Sequence, residues 1–127
     1  MLWRKNMVIL DANVILRYVL NDNEAMADQA EKYITGKNVV ITLEVAAEVV
    51  YVLNKVYFME RHVIAHIVKG FAELVECQEM AVLQLALDVY AAHNLDFVDC
   101  VLYAYRNIHN IEVATFDKKL LKLLVEG

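Results

Sequence analysis

The stretch Met7-Val8-Ile9-Leu10-Asp11-Ala12-Asn13 decides how the rest of the chain is read. Apolar residues run directly into a carboxylate, with an amide side chain two positions further on. A short apolar run bounded by polar residues reads as a β-strand buried on both faces. Asp11 then falls where the strand ends and a helix begins. In open α/β sheets ligands gather at the carboxyl ends of the strands, so the position is functional by geometry. The plainer role is capping, because aspartate is a favoured N-cap and Ala12–Leu20 reads as a helix. The choice between the two turns on the carboxylates further along.

Beyond Leu20, Asn21-Asp22-Asn23 is a turn cluster, and Glu24–Ile34 reads as a second helix with Gly36 just past its end. Val39–Ile41 is a short apolar strand followed by Thr42, a good N-cap. In the helix expected over Leu43–Tyr57, Val45, Val49, Val52 and Val56 form one stripe, while Glu44, Glu48, Tyr51 and Lys55 share another face. A helix over Glu60–Ala72, a strand over Leu74–Cys77 and a helix over Glu79–His93 follow, the last with Ala81, Leu85, Val89 and Ala92 inward. Phe97–Ile108 is helical, with Asp96 as N-cap and Asn110 as a left-handed stop. Ile111–Thr115 reads as a strand and Asp117–Leu124 as the final helix. Strands alternating with helices predict a single α/β domain over residues 1–127, a short, mainly parallel sheet with helices on both faces. Met7 is an alternative start, which would make Met1–Asn6 a dispensable extension.

Composition narrows the class. The chain has 127 residues, 60% of them hydrophobic, and a mean hydropathy of +0.40. No apolar run approaches the roughly 18–20 residues that span a membrane, so the excess belongs to a dense core or a partner interface. Arg4 and Lys5 precede an apolar run that stops at Asp11, too short for a secretory leader. Cys77 and Cys100 are widely spaced and form no metal or redox motif; buried reduced thiols are expected, in a cytoplasmic protein. A net charge of −5 disfavours a general nucleic-acid binder, but not one whose acids are gathered around a metal.

The acids fall at telling places. Asp11 follows the first strand and Asp117 follows Ile111–Thr115; were both strands central and parallel, their carboxylates would meet at one sheet edge. Glu48 and Asp99 lie in the first or second turn of helices that begin at that edge. Four carboxylates brought together repel, each raising the others' pKa, unless a cation neutralises them. A hard divalent ion, Mg²⁺ or Mn²⁺, prefers these oxygen ligands, and a pair of such ions supports phosphodiester hydrolysis. Each acid also has a plain structural reading: Asp96 and Asp99 as caps of one helix, Glu48 as a solvated partner of Lys55 or Arg61, Asp117 as the N-cap of the last helix.

With these residues in view, the chain resembles PIN-domain nucleases, particularly the VapC-like toxins of toxin–antitoxin pairs. The likeness runs through Val8-Ile9-Leu10-Asp11-Ala12-Asn13-Val14-Ile15-Leu16-Arg17 and Glu48-Val49-Val50-Tyr51-Val52-Leu53. It continues in Asp96-Phe97-Val98-Asp99-Cys100-Val101-Leu102-Tyr103-Ala104 and Ala114-Thr115-Phe116-Asp117-Lys118-Lys119-Leu120. The resemblance implies a metal-dependent ribonuclease acting on single-stranded RNA, with Asp11, Glu48, Asp99 and Asp117 as the acidic quartet. Asp11 and Asp99 would be the firmest ligands of Mg²⁺ or Mn²⁺, Asp117 would bind directly or through water, and Glu48 would orient or deprotonate the attacking water. Asn13 and Thr115 match supporting polar positions; Asp96 is an extra acid that either caps or binds. A homodimer and an antitoxin that blocks the site are also implied. The alternative is a PIN-like scaffold that binds RNA or protein without cutting.

Other motifs carry less. Asp11-Ala12-Asn13 has the spacing of the haloacid-dehalogenase signature, but Asn13 cannot move a proton. His62 and His66 share a helix face at zinc-pair spacing without a third ligand. Lys118, Lys119 and Lys122, with Arg17, read either as solvated helix surface or as a basic rim that steers RNA phosphates.

Overall fold

Residues 3–126 are described in a computed structural model. Met1 and Leu2 lie outside the described residues, so the expected extension is seen only from Trp3, where Arg4 reaches across to Asn38 at 3.1 Å and to Glu76 at 3.0 Å. Three short strands form a parallel sheet: β1 (Val8–Ile9), β2 (Val39–Ile41) and β3 (Glu76–Cys77), in that order. Val8 aligns with Val39, and Val40 with Glu76. Seven helices are present among the described residues: α1 (Ala12–Leu20), α2 (Glu24–Ile34), α3 (Leu43–Lys55), α4 (Arg61–Ala72), α5 (Met80–Ala92), α6 (Phe97–His109) and α7 (Lys118–Glu126).

Local signals set the helix ends. Asn23 accepts a hydrogen bond from the Met26 amide and Thr42 one from the Val45 amide, so both act as N-caps. Asn21 and Asn110 end their helices in the left-handed conformation, which asparagine tolerates better than most residues. In a strand, successive side chains point to opposite faces, yet Val39, Val40 and Ile41 are all buried. Both faces of the sheet are therefore covered at β2. One continuous core runs from there through Leu53, Ile64, Leu83, Leu87 and Leu120.

Several expectations need correction. Ile111–Thr115 forms no strand among the described residues, so the sheet ends at β1. Strand propensity reports fit to a pleated, half-buried surface and does not supply a hydrogen-bonding neighbour; here Ile111 and Ala114 face solvent and only Val113 and Thr115 are partly covered. As an edge strand, β1 is not buried on both faces: Val8 and Ile9 are exposed, and burial begins at Leu10. The buried face of α3 is Ala46, Val49, Val50 and Leu53 rather than the valine stripe, and Val56 lies beyond the helix in solvent. On α5 the buried face includes Val82, Leu83, Ala86, Leu87 and Tyr90, leaving Ala81 and Ala92 outside. In segments this rich in apolar residues, several stripes satisfy the helical period, and only the neighbouring helices choose among them.

Candidate active site

Each acid of the expected quartet stands at a helix start or on a first or second turn. Asp11 caps α1, its carboxylate accepting from the Ala12 amide at 2.9 Å. Asp117 precedes α7 and accepts from the Leu120 amide at 2.8 Å, while its own amide donates to the Thr115 hydroxyl at 3.0 Å. Thr115 thus shapes the turn that presents Asp117. Glu48 is exposed on α3, and Asn13 is exposed on the first turn of α1. Asp96 occupies the N-cap position of α6 but makes no side-chain capping bond, which leaves its carboxylate uncommitted.

Asp99 is the electrostatic focus. It lies half-buried in the first turn of α6. Burial pushes its carboxyl above the ordinary value of 3.8, and the charges of Asp117 and Asp96 push it further in the same direction. The structure therefore brings Asp96 and Asp117 each within electrostatic reach of Asp99. Asp11 and Glu48 are not among the charges that shift Asp99, and among the described residues no three acidic, histidine or cysteine side chains are close enough to hold a metal ion as they stand. What joins Asp117 to Asp99 is helix packing, not the pairing of two central strands. Leu120 and Leu123 of α7 enter the core, and Arg106 of α6 donates to the Leu124 carbonyl at 2.9 Å.

The plain readings fare unevenly. Arg61 does not pair with Glu48; it donates to the backbone carbonyls of Tyr90, at 2.7 Å, and Leu95, and lies over the Tyr90 ring. Arg17 is held by Asp22 at 2.9 Å. Lys118 and Lys119 are exposed beside Asp117, and Lys122 approaches Glu126 at 4.0 Å. His62 and His66 are exposed on α4. Of the two cysteines, Cys100 is buried as expected but Cys77 only half so.

Sequence reasoning missed the groove beside Asp99. Its volume is about 530 Å³, and its lining includes Tyr51 and Lys55 of α3, Asp96, Val98 and Asp99 at the start of α6, and Asn94. The shared face of Tyr51 and Lys55 with Glu48 was the available signal. Asn94 reads from sequence only as a helix stop, and Arg61 only as an ion-pair partner.

The fold is α/β, and the acids at its helix starts offer oxygen ligands only. The family model described as PIN domain matches residues 8–124, and the chain belongs to that family. PIN domains are generally nuclease-like, act on nucleic acid and typically use divalent metals. Neither the curated proteins nor the solved structures contain a match. No helix among the described residues is long and apolar enough to cross a membrane.

Proposed function

We propose that this chain is a Mg²⁺- or Mn²⁺-dependent endoribonuclease that hydrolyses single-stranded RNA, and that it is a VapC-like toxin of a toxin–antitoxin pair. The observation that carries the reading is Asp99, a partly buried carboxyl pushed upward first by burial and then by the charges of Asp117 and Asp96. Such an arrangement is unfavourable alone and favourable around a cation. The donor chemistry fits a hard divalent ion, since the candidate ligands offer oxygen only. Asp99 and Asp117 would hold it together with Asp11, and Asp96 has a free carboxylate to add. When bound, the ion supplies Lewis-acid stabilisation of charge on the phosphate and activation of a water.

The chain's own residues do the rest. Thr115 fixes the turn that aims Asp117. Glu48, exposed and unshielded, orients the attacking water or takes its proton, and Asn13 supports the site beside Asp11. Lys118 and Lys119 draw phosphates toward the acids, with Arg17 contributing at longer range. A homodimer and an inhibitory antitoxin belong to the same reading, in the cytoplasm; the exposed apolar side chains of Phe58, Phe116 and Val125 support such interfaces. A non-catalytic module that binds RNA or protein is favoured by one fact, the absence of Asp11 and Glu48 from the charges acting on Asp99.

The deciding experiment is cleavage of a panel of single-stranded RNAs with Mn²⁺, Mg²⁺ or EDTA, comparing the native protein with Asp11→Asn and Asp99→Asn. Metal-dependent cutting abolished in both variants is the expected result. Cutting that persists in EDTA, or in both variants, overturns the assignment.

A further inference from the structure

Asn94 is among the residues that line the groove beside Asp99. That residue also lines a second depression of about 220 Å³, together with His93, Leu95, and Lys119 and Lys122 of α7. The two depressions therefore share Asn94 as a lining residue, one carrying Tyr51, Lys55, Asp96 and Asp99 and the other the α7 lysines. They differ in chemistry. In one, the Tyr51 ring is 63% exposed on the groove wall, with the Lys55 ammonium one helical turn on. In the other, Lys119 and His93 stand with Lys122 and Glu126, the Lys122 ammonium approaching the Glu126 carboxylate at 4.0 Å, and there is little aromatic surface.

An exposed ring with a neighbouring cation is what a nucleobase and its phosphate require. Stacking on an aromatic side chain is tolerant of sequence because every base has a π-face. The ring is reachable only by a base free of its own helical neighbours, which selects single strands over duplex. Arg61 is not the phosphate ligand, because its guanidinium is committed to two backbone carbonyls and to Tyr90. The Asn54 amide donates to the Met59 carbonyl at 3.2 Å, so its oxygen is left as an acceptor for a base edge.

We propose that Tyr51 stacks one base of single-stranded RNA beside Asp99, and that the RNA backbone continues over Asn94 onto Lys119. The proposal takes its ligand from the ribonuclease reading but concerns binding, which is measured apart from cutting. The assay is fluorescence anisotropy of a short, unstructured, labelled RNA with the full chain, in EDTA and in Ca²⁺, with a gel to confirm that the RNA stays intact. Tyr51→Ala weakens binding about five-fold to about a hundred-fold, whereas Tyr51→Phe, which keeps the ring, binds as the native protein does. Lys55→Gln and Lys119→Gln each reduce the slope of log affinity against log salt by about 0.7.

Native affinity in Tyr51→Ala, equal losses in the Phe and Ala variants, equal binding of duplex RNA, or no measurable RNA binding by the native protein would each overturn the proposal. The Tyr51 side chain is exposed, so thermal melting of both variants should match the native protein, and loss of binding then reports the groove rather than the fold. Tyr51-dependent binding by a protein that cuts under no metal condition refutes the nuclease and leaves the groove standing. Metal-dependent cutting with unchanged affinity in Tyr51→Ala does the reverse.

Discussion

Arg61 ties three parts of the molecule together, and its removal tests how the candidate site is held. From the first turn of α4 it donates to the Tyr90 carbonyl near the end of α5 and to the Leu95 carbonyl in the turn before α6. Its guanidinium carbon also lies 3.7 Å from the Tyr90 ring centroid. Arg61→Met keeps most of the side-chain stem and deletes the charged fork. Hydrogen bonds from a charged donor contribute about 1.5–3 kcal/mol each, and a cation over an aromatic face contributes about 0.5–2 kcal/mol. The side chain is only partly buried, so the lower ends apply, giving a loss of roughly 3.5 kcal/mol. For a chain of this size that corresponds to a fall in Tm of about 10 °C. Arg61→Lys should lose about half as much, since an ammonium replaces a planar fork that reaches both carbonyls and stacks. Thermal melting followed by circular dichroism measures all three proteins, and hydrogen exchange at Phe97–Cys100 should quicken in Arg61→Met. A melting point within about 2 °C of native would refute the view that this side chain anchors the turn presenting Asp96 and Asp99.

Two further outcomes follow from the shifted groups. The Asp99 carboxyl is raised in the folded state, so the folded chain holds that proton more tightly than the unfolded one. Its ionisation therefore lowers stability as pH rises above the ordinary value of 3.8. In metal-free buffer Asp99→Asn should melt with the native protein at the acid end and above it near neutrality; a gap independent of pH would refute the repulsion. For the thiols, burial pushes Cys100 up to about 12, and Cys77 is raised but half exposed. A disulfide reagent at mildly alkaline pH should modify Cys77 in the native protein and reach Cys100 only on unfolding. Rapid titration of both native thiols would contradict that packing.

Much of the fold was legible because its signals are local. The apolar period, Thr42 and Asn23 as caps, and Asn21 and Asn110 as left-handed stops each act within a few residues, and the bounds of α1, α2 and β2 come directly from them. The positions of Asp11, Asp96, Asp99 and Asp117 at helix starts were legible for the same reason. Which stripe of α3 or α5 faces inward was not, because a helix that is apolar on several sides leaves the choice to its neighbours. Ile111–Thr115 carried a strand pattern, but pairing needs a partner edge at the right height, and no local pattern specifies one. The same limit governs the site. Sequence alone placed acids at helix starts and put Tyr51 and Lys55 on a face with Glu48. Tertiary packing alone decided that α7 carries Asp117 to Asp99, that Arg61 is spent on two carbonyls, and that Asn94 borders two depressions. Such contacts join residues far apart in the chain, and their energy exists only once the core has set the distances between them.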